Sequence, residues 1–191
     1  TVQRIEDAIK KSLETLSAAP RYITFSGNGE PTLHPEFPTI VDAVTHLRNR
    51  LSPSSKIAIL SNSSTVHDPA IRETLEKLDV RIMKLDAGCD RTFETYNKPV
   101  KGIHLDTICE GLSLLKDVII QSLFSDGGLG NTTEKNIREW VSRIGQISPS
   151  AVQIYTLDRG YPSKSISKCN QNGLRSIQTL LQKIHIHAEV Y

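Results

Sequence analysis

The chain has 191 residues, of which 38% are hydrophobic and 23% charged, and its formal net charge is +2. These values exclude an intrinsically disordered chain and give no electrostatic basis for nucleic-acid binding; the length suits one domain, residues 1–191, with a real core. No apolar run approaches the roughly 20 residues that span a bilayer, and the N-terminal segment is amphipathic rather than signal-like, so no membrane role is expected.

Ile5, Ala8, Ile9, Leu13 and Leu16 recur at helical spacing, which predicts an amphipathic helix over 2–17, ended by Pro20. An apolar run predicts a strand over 22–26, stopped by a turn containing Gly27 and Gly29. Phe37-Pro38 opens the next helix, with Ile40, Val41, Val44 and Leu47 as its buried face. A second strand, 56–60, ends at Ser61-Asn62-Ser63-Ser64, and Asp68-Pro69 caps a helix to Leu78. The third strand, 80–85, closes at Asp86-Ala87-Gly88. An irregular stretch over 93–102 then leads to a helix over 105–115. The fourth strand, 118–124, is followed by Gly127-Gly128-Leu129-Gly130, and Asn131 with Glu134 reads as a capping box for a helix to Ile147. A fifth strand (151–157), a polar loop (158–169) containing Pro162, a helix (172–184) and a last strand (186–190) complete the chain. Strands separated by crossover helices make a parallel α/β sheet; an open doubly wound sheet and an incomplete barrel fit the pattern equally.

In such folds ligands sit at the carboxyl ends of the strands. Those ends carry Gly29-Glu30, Ser61-Asn62-Ser63, Lys84 with Asp86, Gln121, and Tyr155 with Asp158-Arg159. Glycines let a ligand approach the backbone, and the Glu30 carboxylate can accept from an ammonium group. Each residue also has a plainer reading. Gly27, Gly29 and Asn62 are ordinary turn residues, and Lys84 with Asp86 would make a surface ion pair. Gln121 could have a structural partner, Tyr155 could be a core ring with its hydroxyl at the rim, and Arg159 would be solvated. None of the six histidines has ligand spacing, and His185 and His187 are expected at the surface beside an edge strand, so no metal ligand is assigned. The three cysteines, Cys89, Cys109 and Cys169, are an odd number without metal-finger spacing, as expected of reduced thiols in a cytoplasmic protein.

The string Ser26-Gly27-Asn28-Gly29-Glu30-Pro31-Thr32-Leu33-His34-Pro35 resembles the Gly-Gly-Glu segment of radical S-adenosylmethionine (radical SAM) enzymes, with Asn28 where many members have the first glycine. Leu60-Ser61-Asn62-Ser63, Lys84-Leu85-Asp86-Ala87-Gly88, Gln121 and the string Gln153 to Arg159 resemble later strand segments of that family, in a branch near the tRNA wybutosine-synthesis enzymes. The resemblance implies a partial (β/α)6 TIM-like barrel of parallel strands, lacking the first strand and the cluster loop. It also implies S-adenosylmethionine as cofactor. Gly27, Asn28, Gly29 and Glu30 would receive the methionine amino group, and Ser61 and Asn62 would contact ribose or carboxylate. Asp86, Gln121 and Tyr155 would line the adenosyl or substrate side.

The family's chemistry uses a [4Fe–4S] cluster, held by Cys-x3-Cys-x2-Cys, to yield a 5′-deoxyadenosyl radical. This sequence has no such motif. Because it opens on Thr1, the expectation is an N-terminal truncation, with the cluster ligands upstream and an unpaired sheet edge that favours self-association. The complete protein would be an oxidoreductase with an external electron donor and an unknown substrate: a small molecule, a peptide or a tRNA. The alternative is a cluster-less, non-catalytic module that binds S-adenosylmethionine or a nucleotide. A further rival is an aldolase-like barrel using Lys84 as a Schiff-base amine.

Overall fold

A computed structural model describes residues 1–158 and 164–191, so Arg159 and Pro162 lie outside the described residues. In chain order the elements are α1 (Val2–Thr15), β1 (Tyr22–Phe25), a 3-10 turn (Pro31–Leu33), α2 (Phe37–Leu51), β2 (Lys56–Ser61), α3 (Pro69–Leu75) and β3 (Val80–Lys84). They continue with α4 (Asp90–Thr92) running into a π turn (Phe93–Asn97), α5 (Leu105–Ser113), β4 (Val118–Asp126), α6 (Glu134–Ile147), β5 (Ala151–Thr156), β6 (Ser167–Lys168), α7 (Gln171–Lys183) and β7 (Ala188–Val190).

The strand order is β1-β2-β3-β4-β5-β7 and every neighbouring pair is parallel. This order decides between the two architectures. Right-handed crossovers along an order that never reverses put all helices on one face, whereas a doubly wound sheet needs a reversal. The sheet is therefore an open sector of a TIM-like barrel. Burial follows the alternation. Ile57 and Ile59, Arg81 and Met83, Ile120 and Ser122, and Val152 and Ile154 are buried under the helices. Ile82, Lys84, Ile119, Gln121, Leu123, Gln153 and Tyr155, on the opposite face, are only half-buried. Among the described residues β1 and β7 are each paired on one side only. No helix there is long and apolar enough to cross a membrane.

Three details correct the sequence reading. The N-cap of α6 is Thr133, whose side chain accepts from the Asn136 amide, so Asn131 and Glu134 do not form a capping box. The polar loop contains a short strand, β6, antiparallel to the end of β4. The stretch at 93–102 includes the π turn, which has no apolar periodicity to reveal it. The Asp68 cap is as expected, accepting from the Ala70 amide at 2.8 Å, but its helix stops at Leu75.

At the amino end of the sheet Asp79 ties β2 to α2. Its Oδ2 accepts from the Ile57 amide (2.7 Å) and from Arg48 (2.8 Å). Burial pushes the Asp79 pKa up, but the Ile57 amide and the Arg48 guanidinium outweigh it and hold the pKa below the ordinary 3.8. A depressed carboxylate pKa gives stability that is present above the unfolded value and lost as pH falls through the folded one. Urea midpoints should therefore drop as pH falls below about 4, and Asp79→Asn should flatten part of that slope. The effect should be small, because the carboxylate is 37% exposed. An identical slope in Asp79→Asn would remove this group from the acid response.

Candidate functional site

At the carboxyl end of β1 the chain turns through Ser26–Gly29 and is anchored by Glu30. The Glu30 carboxylate caps the 3-10 turn, accepting from the Thr32 amide (3.1 Å) and the Thr32 hydroxyl (2.7 Å). It also accepts from the Ser61 hydroxyl (2.8 Å) and the Asn62 amide (2.5 Å) at the end of β2. Four donors match the roughly four acceptor positions of a carboxylate. Glu30 thus clamps two strand ends together, a role the sequence did not reveal. Neither Gly27 nor Gly29 needs the left-handed region, and a side chain at either would meet open space. Neither packing nor backbone strain requires glycine at these two positions.

Together with Leu60, Lys84 and Gln121, the loop 26–30 and Ser61-Asn62 line a cleft of about 310 Å³. Asn62 holds its own turn, its side-chain oxygen accepting from the Ser64 amide at 2.9 Å. Gln121 donates to the Gln153 side chain at 2.9 Å, a structural partner on the neighbouring strand.

Further along the same face lies a polar cluster on β3, β4 and β5. Lys84 Nζ donates to the Tyr155 hydroxyl at 2.7 Å and pairs with Asp86 at 3.2 Å. The plain reading of a surface ion pair is incorrect, because Asp86 is only 5% exposed. Its carboxylate also accepts from the Leu123 amide (2.8 Å) and from Asn97 Nδ2 (3.2 Å). Burial works against the Lys84 ammonium, yet the Asp86 carboxylate and Tyr155 outweigh it and raise the pKa above that of an ordinary lysine. Tyr155 is no core ring; it is half-buried on the open face.

Several residues that hold this cluster were not foreseen. Asn131, fully buried, donates to the carbonyls of Asp86 and Leu123 (2.7 Å each) and accepts from the Ser125 amide at 2.9 Å. Asn136, also fully buried, accepts from the Gly88 amide (2.7 Å) and donates to the Asn131 carbonyl (2.7 Å). The π turn brings Tyr96 over the cluster, where its hydroxyl accepts from Ser125 Oγ at 3.0 Å. The only available signal was a pair of asparagines, Asn131 and Asn136, after a glycine-rich loop. Among the described residues no group of His, Cys, Asp or Glu is placed to hold a metal. The three cysteines are buried and free, and burial raises the pKa of the Cys109 and Cys169 thiols, against thiolate ligation.

No protein-family model matches the chain. A UPF0026 protein of Helicobacter pylori is 26% identical over 161 residues, 83% of this chain and 51% of that protein. The chain thus spans about half the length of such relatives. Among solved structures, a radical SAM methyltransferase from Sphaerobacter thermophilus matches 100% of this chain and 56% of its own, with a TM-score of 0.69 at 16% identity. SuiB of Streptococcus suis, solved bound to S-adenosylmethionine, matches 100% of this chain and 43% of its own, with a TM-score of 0.71 at 14% identity. The chain shares the fold of the matched part of these structures. At these identities the likeness concerns the fold, and it places the open face of this sheet where a barrel has its interior.

Proposed function

We propose that this chain is the S-adenosylmethionine-binding part of a radical SAM enzyme core. The observation that carries the reading is the clamp between Glu30, Ser61 and Asn62. It joins two sequence segments that each resemble cofactor contacts and sets both on one cleft. In this reading the backbone of Gly27, Asn28 and Gly29 receives the methionine ammonium, with the Glu30 charge directly behind it. Asn62 faces the ribose or carboxylate, on a turn held by the buried Ser61 hydroxyl, while Gln121 and Tyr155 line the adenosyl or substrate side and the buried Asp86 supports them through Lys84. When bound, S-adenosylmethionine supplies the reactive carbon–sulfur bond; the residues named here bind and orient it.

The cysteines of this chain do not fit a [4Fe–4S] cluster, since they are isolated from one another and burial raises the pKa of the Cys109 and Cys169 thiols. No step through a cluster is derived from these residues; cluster and electron donor would belong to the rest of a longer protein. The raised pKa of Lys84 keeps its amine protonated, which disfavours the Schiff-base reading.

Equilibrium dialysis of the chain against labelled S-adenosylmethionine is expected to give saturable binding. Glu30→Gln should weaken it about tenfold or more, since a charged acceptor and its strand clamp are lost together. A folded chain that binds ATP but not S-adenosylmethionine would replace this reading with the nucleotide-binding module.

A further inference from the structure

Around Lys84 the open face presents more hydrogen-bond donors than the described residues offer acceptors for. The Lys84 ammonium has three protons. Two are directed to the Tyr155 hydroxyl (2.7 Å) and Asp86 Oδ1 (3.2 Å). Because the Tyr155 hydroxyl accepts from Lys84, its own proton has no acceptor among the described residues. The Tyr96 hydroxyl accepts from Ser125 Oγ at 3.0 Å, and its proton is likewise uncommitted there. The nearby carboxylate, Asp86, already receives the Leu123 amide, Asn97 and Lys84, and it is nearly inaccessible.

The Lys84 ammonium on β3 and two tyrosine hydroxyls, on β5 and the π turn, are therefore donors on half-buried side chains of one cluster. The residue after Tyr96, Asn97, donates to Asp86 at 3.2 Å, which ties the π turn to the cluster. Fixed donors beside a persistent positive charge, in a partly desolvated recess, are the chemistry that recognises an oxyanion. The cluster sits over β3–β5, whereas the loop 26–30 and Ser61-Asn62 sit over β1 and β2 on the same face. Lys84 and Gln121 also border the cleft beside loop 26–30, so the two flanks adjoin.

We propose that Lys84, Tyr155 and Tyr96 form a binding site for an oxyanion, a carboxylate or a phosphate, carried by the substrate. The word substrate rests on the reading above, in which the other flank takes S-adenosylmethionine; the oxyanion site itself does not. The raised Lys84 pKa agrees with the proposal, since it keeps the cation charged throughout the neutral range.

The test is calorimetric titration of the chain with inorganic phosphate and with malonate, with and without S-adenosylmethionine. At least one anion is expected to bind saturably, alone and alongside S-adenosylmethionine. Lys84→Met should weaken binding about tenfold or more, and Tyr96→Phe and Tyr155→Phe should each weaken it by about threefold to tenfold. Lys84→Arg should retain most of the binding, which separates loss of charge from loss of fold. Equal affinity in wild type and Lys84→Met, or no saturable binding of either anion by the folded chain, overturns the site. Displacement of the anion by S-adenosylmethionine assigns the site to the cofactor's own carboxylate and overturns the substrate assignment. Anion binding without any S-adenosylmethionine binding supports the site and overturns the cofactor reading instead.

Discussion

Gly88→Ala is expected to destabilise the fold by about 3 kcal/mol, the upper end of the usual cost of overpacking. A Cβ at this position would fall on the amide nitrogen of Trp140 and the carbonyl oxygen of Asn136. Both are backbone atoms of α6, so no flexible side chain can move aside. The loop is also pinned there by its own hydrogen bonds. The Gly88 amide donates to Asn136 at 2.7 Å, and the Gly88 carbonyl accepts from Arg143 Nε at 2.6 Å, while Arg143 pairs with Asp106 at 2.7 Å. Relief would require separating α6 from the end of β3, beside Trp140, which is fully buried and donates to the Leu85 carbonyl. Urea unfolding of the variant should show a large fall in midpoint at unchanged slope. A midpoint close to that of wild type would mean that the loop and α6 are not packed as described.

Asn131→Ala should be nearly as damaging, at about 2–3 kcal/mol, by a different route. It adds no atoms; it strips donors from the Asp86 and Leu123 carbonyls and the acceptor from the Ser125 amide, all inside the protein. Buried groups left without partners cost about 1–3 kcal/mol each, and these three share one network, so the losses do not simply add. Asn131→Asp discriminates the mechanism. It restores the acceptor but faces a charge toward two carbonyls, so it should be no better than alanine. Recovery in Asn131→Asp would show that the Ser125 bond, not the two donated bonds, matters. Because Asn131 holds the backbone of Asp86, the alanine variant should also bind anions more weakly than wild type.

The sheet was legible because each strand is a short apolar run bounded by turn residues, and the helices carry apolar faces at regular spacing. The strand ends were legible for the same reason: once β1 to β5 are placed, the polar residues at their carboxyl ends follow. The choice between barrel and doubly wound sheet was not legible, because periodicity within an element says nothing about the order of elements in space. Nor were the interactions that depend on distant pairing. Glu30 meets Ser61 and Asn62 across β1 and β2, and Asn131 meets Asp86 across the β3–β4 boundary. Asn131 was misread as a helix cap because local pattern suggested one and a long-range network prevailed. Tyr96 and Asn97 were hidden in a π turn, whose spacing matches neither a helical nor a strand period.

The alternation along the strands has an evolutionary corollary. Met83 and Ile120 face the helix layer, and their neighbours Lys84 and Gln121 face the opposite way. Adjacent positions along a strand therefore serve different surroundings, one the packed helix layer and the other the open face. A mutation on the open side can retask the scaffold while its thermodynamic foundation stays in place.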